Sequence, residues 1–488
     1  MKKNIFIIMM LFSVIITLFC RAGNNSGVYS SSNLKIADYE YSELENPLPV
    51  PPLLKNSSTD PKKASFSLTV QAGLTEFFKG SSVITLGYNG SFLGPTLRFR
   101  RGQSVDINVK NSLNEVTTVH WHGMLVPGDV DGGPHQIIKS GSRWHPVFTV
   151  NQPAATAWYH PHGLGTTAIQ VYKGLAGLII IDDEVSDRLN IPKDYGVNDI
   201  PLIVQDRRFT SEGVPVYMTS MRDMMLGMLG NTILVNGTVN PVLNAGRVRY
   251  RFRLLNGSNA RVYDFRFSNG LKFHQIATDG GFLEKPYYTE SIRLSPGERA
   301  EIIADFSKQK EGSILYLKSG SFDILKVITT GTQNDSTEIP SELAGIDRIP
   351  VEKSQGDRYF SLQGMGPGVN INGKQFNPYR IDEKIKFNSV ETWHIRNVSG
   401  HGMGMMGGGM MGGNVLHNFH AHGIQFMIID RGGRMPSPSE QGWKDTVLVE
   451  QNEDVSVILR FLYNGIFMYH CHILEHEDNG MMGQFKVN

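Results

Sequence analysis

The end of the chain concentrates side chains that bind transition metals. Cys471 lies directly between His470 and His472, and His476 and Met481 follow within ten positions. A thiolate, two histidines and a weakly bound axial methionine form the ligand set of a blue-copper electron-transfer site, to which His476 could contribute one histidine. Because neighbouring residues of a strand point to opposite faces, the histidines flanking the cysteine would serve a different site. The segment therefore predicts a redox relay between two metal sites.

Histidine pairs elsewhere in the chain indicate what that second site is. The chain has 15 histidines, so chance predicts less than one His-x-His pair. Four occur, at His120/His122, His160/His162, His420/His422 and His470/His472. Each pair on a strand presents two imidazoles on one face, and eight imidazoles suit a cluster of about three metal ions. Zinc also binds imidazole, but it is redox-inert and gives no reason for the adjacent cysteine.

The composition predicts an all-β protein. Its 52 glycines and 23 prolines separate many short runs of Val, Ile, Thr and Phe, which is typical of strands joined by turns. A length of 488 residues corresponds to about three domains. The 47 Lys and Arg residues balance 46 Asp and Glu residues without a basic stripe, so we expect no nucleic-acid partner.

Residues 1–22 are predicted to form a cleaved signal peptide, so the protein is expected to be periplasmic or otherwise exported. Two lysines precede an apolar run over 5–19, which is shorter than the roughly 20 residues of a membrane-spanning helix. Small residues near Ala22 provide a cleavage site. A lipid anchor at Cys20 is the less favoured alternative, because a bulky phenylalanine precedes that cysteine.

Residues 23–62 are rich in Ser, Asn and Pro and are predicted to form a flexible or extended leader. Once the signal is removed, Cys471 would be the one cysteine of the mature chain, without a partner for an intrachain disulfide. A cysteine between two histidines is then better explained as a metal ligand.

A threefold repeat predicts three related β-sandwich domains, near 63–185, 198–335 and 355–488. In each copy a strand ends at an asparagine turn and a second strand follows. The copies are Val109-Lys110-Asn111 with Val119-His120-Trp121-His122, Leu254-Leu255-Asn256 with Phe273-His274-Gln275-Ile276, and His394-Ile395-Arg396-Asn397 with Phe419-His420-Ala421-His422. The middle copy lacks the histidine pair, so this domain is expected to keep the fold without copper.

Two further patterns bear on the strands. Pro161 and Thr166 of the first domain occupy the positions of Cys471 and His476, so that domain should hold no blue copper of its own. Residues 247–254 alternate arginine with other residues, as a half-buried strand should, and these arginines are expected to face solvent.

The histidine motifs resemble those of the multicopper oxidase family, and within it the bacterial periplasmic cuprous oxidases and laccases. The motifs are His120-Trp121-His122-Gly123, His160-Pro161-His162, His417-Asn418-Phe419-His420-Ala421-His422-Gly423 and the closing His470-Cys471-His472 segment. The resemblance covers about 66–488 and implies three cupredoxin-like Greek-key β-sandwich domains. It also implies four copper ions between the first and third domains.

The resemblance assigns ligands to each copper. It implies a type 1 copper on His417, Cys471 and His476 with Met481 axial, a type 2 copper on His120 and His420, and a type 3 pair on His122, His160 and His472 and on His162, His422 and His470. Electrons would enter at the type 1 copper and pass through Cys471 to the other three, where O2 is reduced to water.

Three acids are candidates for roles near the copper ions. Asp131 and Glu477 resemble the family's proton-relay acids, and reduction of O2 to water consumes four protons. Asp131 also precedes two glycines, where an aspartate is common in a turn without any catalytic role. Asp445 is expected either to hold a copper-bound histidine in place or to have a purely structural role.

A methionine-rich segment shortly before His417 bears on the substrate. Its methionines are Met403, Met405, Met406, Met410 and Met411, tethered by glycines. Thioethers are soft ligands that select Cu(I), so we expect them to capture Cu(I) near the type 1 site. A loop without a ligand is the alternative. Five further methionines, between Met218 and Met228, recur at helical spacing and suit either core packing or copper contact.

The favoured function is oxidation of Cu(I) coupled to reduction of O2, contributing to copper tolerance, by an enzyme expected to be a monomer. Laccase-type oxidation of phenols is the alternative on the same core. A third hypothesis is a non-catalytic copper-binding or cell-envelope protein on the same fold. Such relatives lose copper ligands, whereas this chain has lost none.

Overall fold

The computed structural model describes residues 45–399 and 415–488. The predicted signal peptide, 1–22, and the methionines at 403–411 lie outside the described residues. Within the described ranges, no helix has the length and apolar character needed to cross a membrane. Strands dominate, and they form three two-sheet sandwiches, so the predicted all-β, three-domain cupredoxin-like fold is confirmed.

The first sandwich has sheets in the order β3-β2-β5-β7, with β8 also on β5, and β4-β10-β9-β6. Its strands follow the short leader strand β1, Asn46–Pro47, and are β2 Lys63–Phe78, β3 Ser81–Tyr88, β4 Leu97–Arg100, β5 Ser104–Asn111, β6 His120–His122, β7 Arg143–Trp144, β8 Val147–Thr149, β9 Ala155–His160 and β10 Gly177–Asp182. Helix α1, Thr167–Tyr172, precedes β10, and α2, Glu184–Arg188, follows it.

The second sandwich has sheets in the order β1-β14-β22-β21-β16-β19 and β13-β12-β11-β15-β20-β17-β18. Its strands are β11 Asp199–Arg207, β12 Thr232–Val235, β13 Thr238–Val239, β14 Pro241–Ala245, β15 Arg249–Asn256, β16 Tyr263–Phe267, β17 Phe273–Thr278, β18 Gly281–Thr289, β19 Ile292–Leu294, β20 Arg299–Asp305, β21 Ile314–Ser319 and β22 Phe322–Thr329. Helix α3, Met221–Leu226, lies between β11 and β12.

The third sandwich has sheets in the order β24-β23-β26-β30-β28 and β25-β32-β31-β27-β29. Its strands are β23 Asp357–Gln363, β24 Asn370–Ile371, β25 Glu383–Ile385, β26 Val390–Asn397, β27 His417–Ala421, β28 Phe426–Arg431, β29 Thr446–Val449, β30 Asp454–Arg460, β31 Gly465–His470 and β32 Met482–Val487. Helix α4, Leu474–Asp478, follows β31, and 3-10 turns cover Val351–Lys353, Gly366–Gly368 and Pro438–Glu440.

The three predicted asparagine turns share one hydrogen-bonding pattern. Each asparagine is buried, its amide nitrogen donates to two backbone carbonyls, and its oxygen accepts the backbone N–H two residues later. The bonds join Asn111 to Glu115, Ile138 and Leu113, Asn256 to Arg261, Leu294 and Ser258, and Asn397 to Val415, Val449 and Ser399. One side chain thus closes the turn between the two sheets of each sandwich.

These hydrogen bonds correct the predicted alignment of the middle repeat. Asn397 bonds to β29 opposite His417, and Asn256 bonds to β19 opposite Tyr263. The counterpart of the histidine-bearing β27 is therefore β16, which contains no histidine, and the alignment with 273–276 was wrong. That segment is β17, which pairs with β20 in the other sheet. The alignment matched the Phe-His sequence of β17 and passed over β16, which lies between β15 and β17.

Two arginines of β15, Arg251 and Arg253, are buried, contrary to the prediction that these arginines face solvent, and Arg249 is half-buried. Arg253 pairs with Asp199 and Glu301, and Arg251 pairs with Glu301. Thr156 of the first domain donates to Glu301 at 2.6 Å, so the first domain covers this face of the sheet. Alternation identified the strand correctly but could not show that a neighbouring domain packs on its polar face.

The described part of the leader, 45–62, makes backbone hydrogen bonds to two domains. Strand β1 pairs in parallel with β14 of the second domain. The backbone N–H of Leu54 donates to the carbonyl of Thr96 in the first domain at 2.9 Å. This segment therefore ties two domains together.

Candidate metal centre

The four histidine pairs meet at the interface of the first and third domains. Strand β6 pairs with β9 so that His120 lies opposite His160, and β27 pairs with β31 so that His420 lies opposite His470. All eight imidazoles are buried. The two domains thus present equivalent pairs of strands toward each other, and the imidazoles fill the space between them.

Three of these imidazoles point their ring nitrogens at one another. Nε2 of His470 lies 3.0 Å from Nε2 of His162 and 3.1 Å from Nε2 of His422. Burial lowers the pKa of His470 to about 3 and holds those of the other two rings well below their usual value, so the rings are neutral. Converging lone pairs of neutral imidazoles are the arrangement that a metal ion requires.

The other five imidazoles carry buried nitrogen atoms that have no hydrogen-bond partner among the described residues. These are Nε2 of His120, His160 and His420, Nδ1 of His122, and both ring nitrogens of His472. Buried polar atoms in proteins are nearly always paired, so a set of orphaned nitrogens needs an explanation. Coordination of metal ions supplies it, and the donor set fits copper.

Asp131 and Asp445 orient four of the histidines in a nearly symmetrical way. The Nδ1–H of His120 donates to the carbonyl of Asp131 at 2.9 Å, and that of His420 donates to the carbonyl of Asp445 at 2.8 Å. The carboxylates accept from the opposite domains. Asp131 accepts from His422 at 2.7 Å and Asp445 from His122 at 3.0 Å. Each imidazole is thereby fixed in one tautomer, with its other nitrogen toward the cluster.

Glu477 is the second acid that the sequence singled out, and it also borders the histidines. Its Oε1 lies 3.5 Å from Nε2 of His162, and its Oε2 lies 3.3 Å from Nδ1 of His470. Burial holds the pKa of this carboxyl well above its usual value. A neutral, buried carboxylic acid at this position can hold a proton beside the cluster.

A second cluster forms in the third domain around the cysteine. Nδ1 of His417 lies 3.6 Å and Nδ1 of His476 lies 3.9 Å from the Sγ of Cys471. Met481 is fully buried in the same core, and its carbonyl accepts the backbone N–H of Cys471. Burial raises the pKa of the Cys471 thiol to about 12, so the thiol stays protonated until a metal ion displaces its proton.

Two hydrogen bonds fix the outer nitrogens of these histidines. Nε2 of His417 contacts the hydroxyl of Ser399 at 2.8 Å, and Nε2 of His476 donates to the carbonyl of Met225 at 3.1 Å. Both inner nitrogens therefore face Cys471. Met225 belongs to α3, so the predicted helical methionine segment does contact this cluster, although through its backbone.

Asn418 contributes to the cluster and was missed by sequence reasoning. Its oxygen accepts the backbone N–H of His472 at 2.6 Å and lies 3.5 Å from the Sγ of Cys471. Its amide nitrogen donates to Ser295 and Pro296 of the second domain. Its position immediately after His417, within the histidine motif 417–423, could have identified it in the sequence.

The structure groups most of the predicted ligands into triads whose donor atoms lie within 4.8 Å of one another. The triads without an acid are His120/His122/His160, His120/His420/His422, His162/His422/His470 and His417/Cys471/His476. A fifth triad contains His122, His420 and Asp445. His472 lies beside His122, with 4.9 Å between ring centroids.

A cleft of about 590 Å³ opens beside the cysteine cluster, between the second and third domains. His476 forms part of its wall together with Leu226 of α3, Phe322 and Val415. His476 is thus the histidine of this cluster that a molecule in the cleft would reach.

Comparison with known proteins agrees with this geometry. Multicopper oxidase family models match residues 69–186, 214–336 and 350–488. The chain is 43% identical to multicopper oxidase mco of Staphylococcus aureus over 88% of this chain and 90% of the relative. It is 36% identical to cell division protein FtsP of Xenorhabdus nematophila over 90% of this chain and 92% of that protein.

A solved structure shows the same architecture. A laccase from Pediococcus acidilactici superposes with a TM-score of 0.85 at 38% identity, covering 95% of this chain and 98% of that chain. The matched models, the relatives and the two histidine clusters all lead to one conclusion. The chain belongs to the multicopper oxidase family.

Proposed function

We propose that the protein oxidises Cu(I) and passes the electrons to O2, with export to the periplasm and a contribution to copper tolerance. The observation that carries the proposal is the position of Cys471. It contacts His417 and His476 in one cluster, while its neighbours His470 and His472 belong to the other.

Four copper ions are proposed as the resident cofactors. Bound copper would supply one-electron acceptance at the cysteine cluster and four-electron reduction of O2 at the histidine cluster. The proposed holders are His417, Cys471, His476 and Met481 for type 1, His120 and His420 for type 2, and His122, His160, His472, His162, His422 and His470 for the type 3 pair. The orphaned nitrogens described above support this assignment.

Residues of the protein could provide the electron path between the two clusters and the protons that the reaction consumes. The backbone from Cys471 to its two neighbours offers a covalent electron path one residue long. Asp131 contacts His422, and Glu477 lies beside His162 and His470, so both acids border the histidine cluster and we assign them the delivery of protons from solvent. One carboxylate oxygen of Asp131 has no hydrogen-bond partner among the described residues, which leaves it able to accept a proton.

Cu(I) is proposed as the electron donor because of where the methionine-rich segment is attached. Ser399, its last described neighbour on one side, contacts His417 through its hydroxyl. The chain resumes at Val415, which lines the cleft beside His476. Both ends of a segment holding five thioethers are therefore at the cysteine cluster, and thioethers favour Cu(I).

Oxidation of phenols is the alternative, and the cleft beside His476 favours it. Its walls are partly apolar and its volume would admit a small aromatic molecule. The likeness to a laccase agrees with this alternative. A non-catalytic envelope role has the likeness to FtsP in its favour, but retention of all twelve candidate ligand residues supports an enzyme.

Turnover of Cu(I) and of a phenol should be measured for the intact protein and for a variant lacking 403–411. We expect slower Cu(I) oxidation and unchanged or faster phenol oxidation in the variant. Equal loss of both activities would contradict the assignment of Cu(I) to the segment. The variant Cys471→Ser tests the oxidase itself, because it should abolish both the blue colour and all O2 consumption.

A further inference from the structure

The second domain provides none of the candidate metal ligands, yet it reaches the histidine cluster. Gly297 precedes β20 with φ +84°, and a Cβ there would lie 3.0 Å from the ring of His472 and 3.1 Å from that of His122. Two residues later, Arg299 enters the interface of all three domains with its side chain fully buried. A guanidinium in such a place must be compensated by an anion.

The nearest compensating anion is Asp445, and Oδ1 of Asp279 lies 3.7 Å from Nη1 of Arg299. The Nη1 and Nη2 atoms of Arg299 donate to the two carboxylate oxygens at 2.7 and 2.6 Å, which makes the pair bidentate. Further bonds from the guanidinium to the carbonyls of Thr156, Gly297 and Asp279 leave none of its three nitrogens unpaired. Arg299 is thus held rigidly, and it holds the carboxylate in turn.

The same carboxylate accepts the Nε2–H of His122, and the carbonyl of Asp445 accepts the Nδ1–H of His420. The two imidazoles are stacked with 3.8 Å between ring centroids. Gly123, next to His122, leaves room for the guanidinium of Arg299, because a Cβ at this position would lie 2.4 Å from Nη2 of Arg299.

Asp131 occupies the matching position on the other side of the cluster, where His120 and His422 are stacked at 3.7 Å. No arginine or lysine pairs with it among the described residues, and its Oδ1 is unpaired. Each aspartate thus accepts from one histidine through its carbonyl and from another through its carboxylate, but only Asp445 is paired with an arginine and also accepts from the hydroxyl of Thr446 at 2.9 Å.

We propose that Arg299 is a positioning residue that acts through Asp445 to fix the tautomer and orientation of His122 and His420. Asp131 has no such arginine among the described residues. Both carboxylate oxygens of Asp445 are held by Arg299, whereas Oδ1 of Asp131 has no hydrogen-bond partner among the described residues. This inference rests on the proposed copper assignment, and its test includes readouts other than turnover.

The test compares Arg299→Gln with Arg253→Gln in the copper-loaded protein. Arg253 is a matched control, because it is also a buried, doubly paired arginine of the second domain, but its partners Asp199 and Glu301 contact no candidate ligand. Copper content, the electron paramagnetic resonance of type 2 copper, the blue type 1 absorption and kcat should be measured for each.

For Arg299→Gln we expect a changed type 2 signal, an unchanged type 1 absorption, and a loss of about 10- to 100-fold in type 2 copper affinity or kcat. For Arg253→Gln we expect the type 2 signal of the parent protein. The double variant Arg299→Gln/Asp445→Asn should recover part of the loss, because it removes the uncompensated charge and keeps an oxygen for His122.

Equal changes in the Arg299 and Arg253 variants would overturn the inference, as would a parental type 2 signal and copper affinity in Arg299→Gln. Failure of the proposed copper assignment would be recognised separately, since the parent protein would then show no type 2 signal at all.

Discussion

Removal of copper should make the protein sensitive to mild acid, because its buried imidazoles accept protons in the folded state only at a much lower pH than in the unfolded chain. Burial is the main cause that lowers the pKa of nine of the candidate ligands. They are His122, His160, His162, His417, His420, His422, His470, His472 and His476. In the unfolded chain each imidazole regains an ordinary pKa of about 6.5.

The sign of the effect follows from proton linkage. These pKa values are lower in the folded than in the unfolded state, so the unfolded chain binds more protons below about pH 6.5. Stability is therefore complete above that pH and falls as the pH decreases, until the folded pKa is reached. For His476 and His470 the folded values are about 4 and about 3.

The magnitude can be worked out for these two residues. When the pH falls from 7 to 5.5, each of the two histidines lowers the free energy of unfolding by about 1.3 kcal/mol, and together they lower it by about 2.5 kcal/mol. For a domain of 150–250 residues, this corresponds to a decrease of about 5–10 °C in the melting temperature. The other seven histidines act in the same direction. Since domains are stable by about 5–15 kcal/mol, the loss is a large fraction of the total.

Urea denaturation of the copper-free protein at pH 7.0 and 5.5 tests this reasoning, with the copper-loaded protein alongside. Copper binds the neutral imidazole, so the loaded protein should lose much less stability. The variant His476→Gln should remove about 1.3 kcal/mol of the acid loss, whereas His145→Gln, at an exposed histidine, should not. A copper-free protein with the same midpoint at both pH values would refute the argument.

Three further changes have defined outcomes. Asn418→Ala removes the acceptor beside Cys471 and two bonds to the second domain, so the type 1 absorption should shift while type 2 resonance persists. Asp131→Asn should slow turnover and remove a proton-dependent limb from the pH–rate profile, and an unchanged profile would exclude the relay role. Asn256→Ala leaves buried carbonyls of the middle domain unpaired, which should lower its unfolding free energy by about 1–3 kcal/mol without changing the blue colour.

The histidines were predictable from sequence because strand geometry is local. Residues i and i+2 of a strand share a face whatever the rest of the fold does, so each pair could be identified alone. Repetition of the motif then indicated that two domains face each other. The same reasoning separated Cys471 from its neighbours, and the structure places it in a different cluster.

The contacts that hold the histidines were not predictable in the same way. Arg299 meets Asp445 across 146 positions of sequence, and nothing near either residue indicates the other. The prediction that the arginines of β15 face solvent failed for the same reason. The acidic partners of Arg251 and Arg253 belong to other strands, and the first domain packs over them. In the middle repeat, a chance match of Phe273-His274 with Phe419-His420 led to the wrong alignment. The hydrogen bonds of Asn256 that correct it join residues distant in sequence.

The separation of the facing histidines along the chain has a consequence for biosynthesis. His162 and His470 approach within 3.0 Å although 308 positions separate them. A nascent chain cannot assemble this pocket until its final residues have been made and the last sandwich has docked on the first. The centre could therefore bind metal only after the whole polypeptide has been synthesised. A chain truncated before His470 would lack the complete centre.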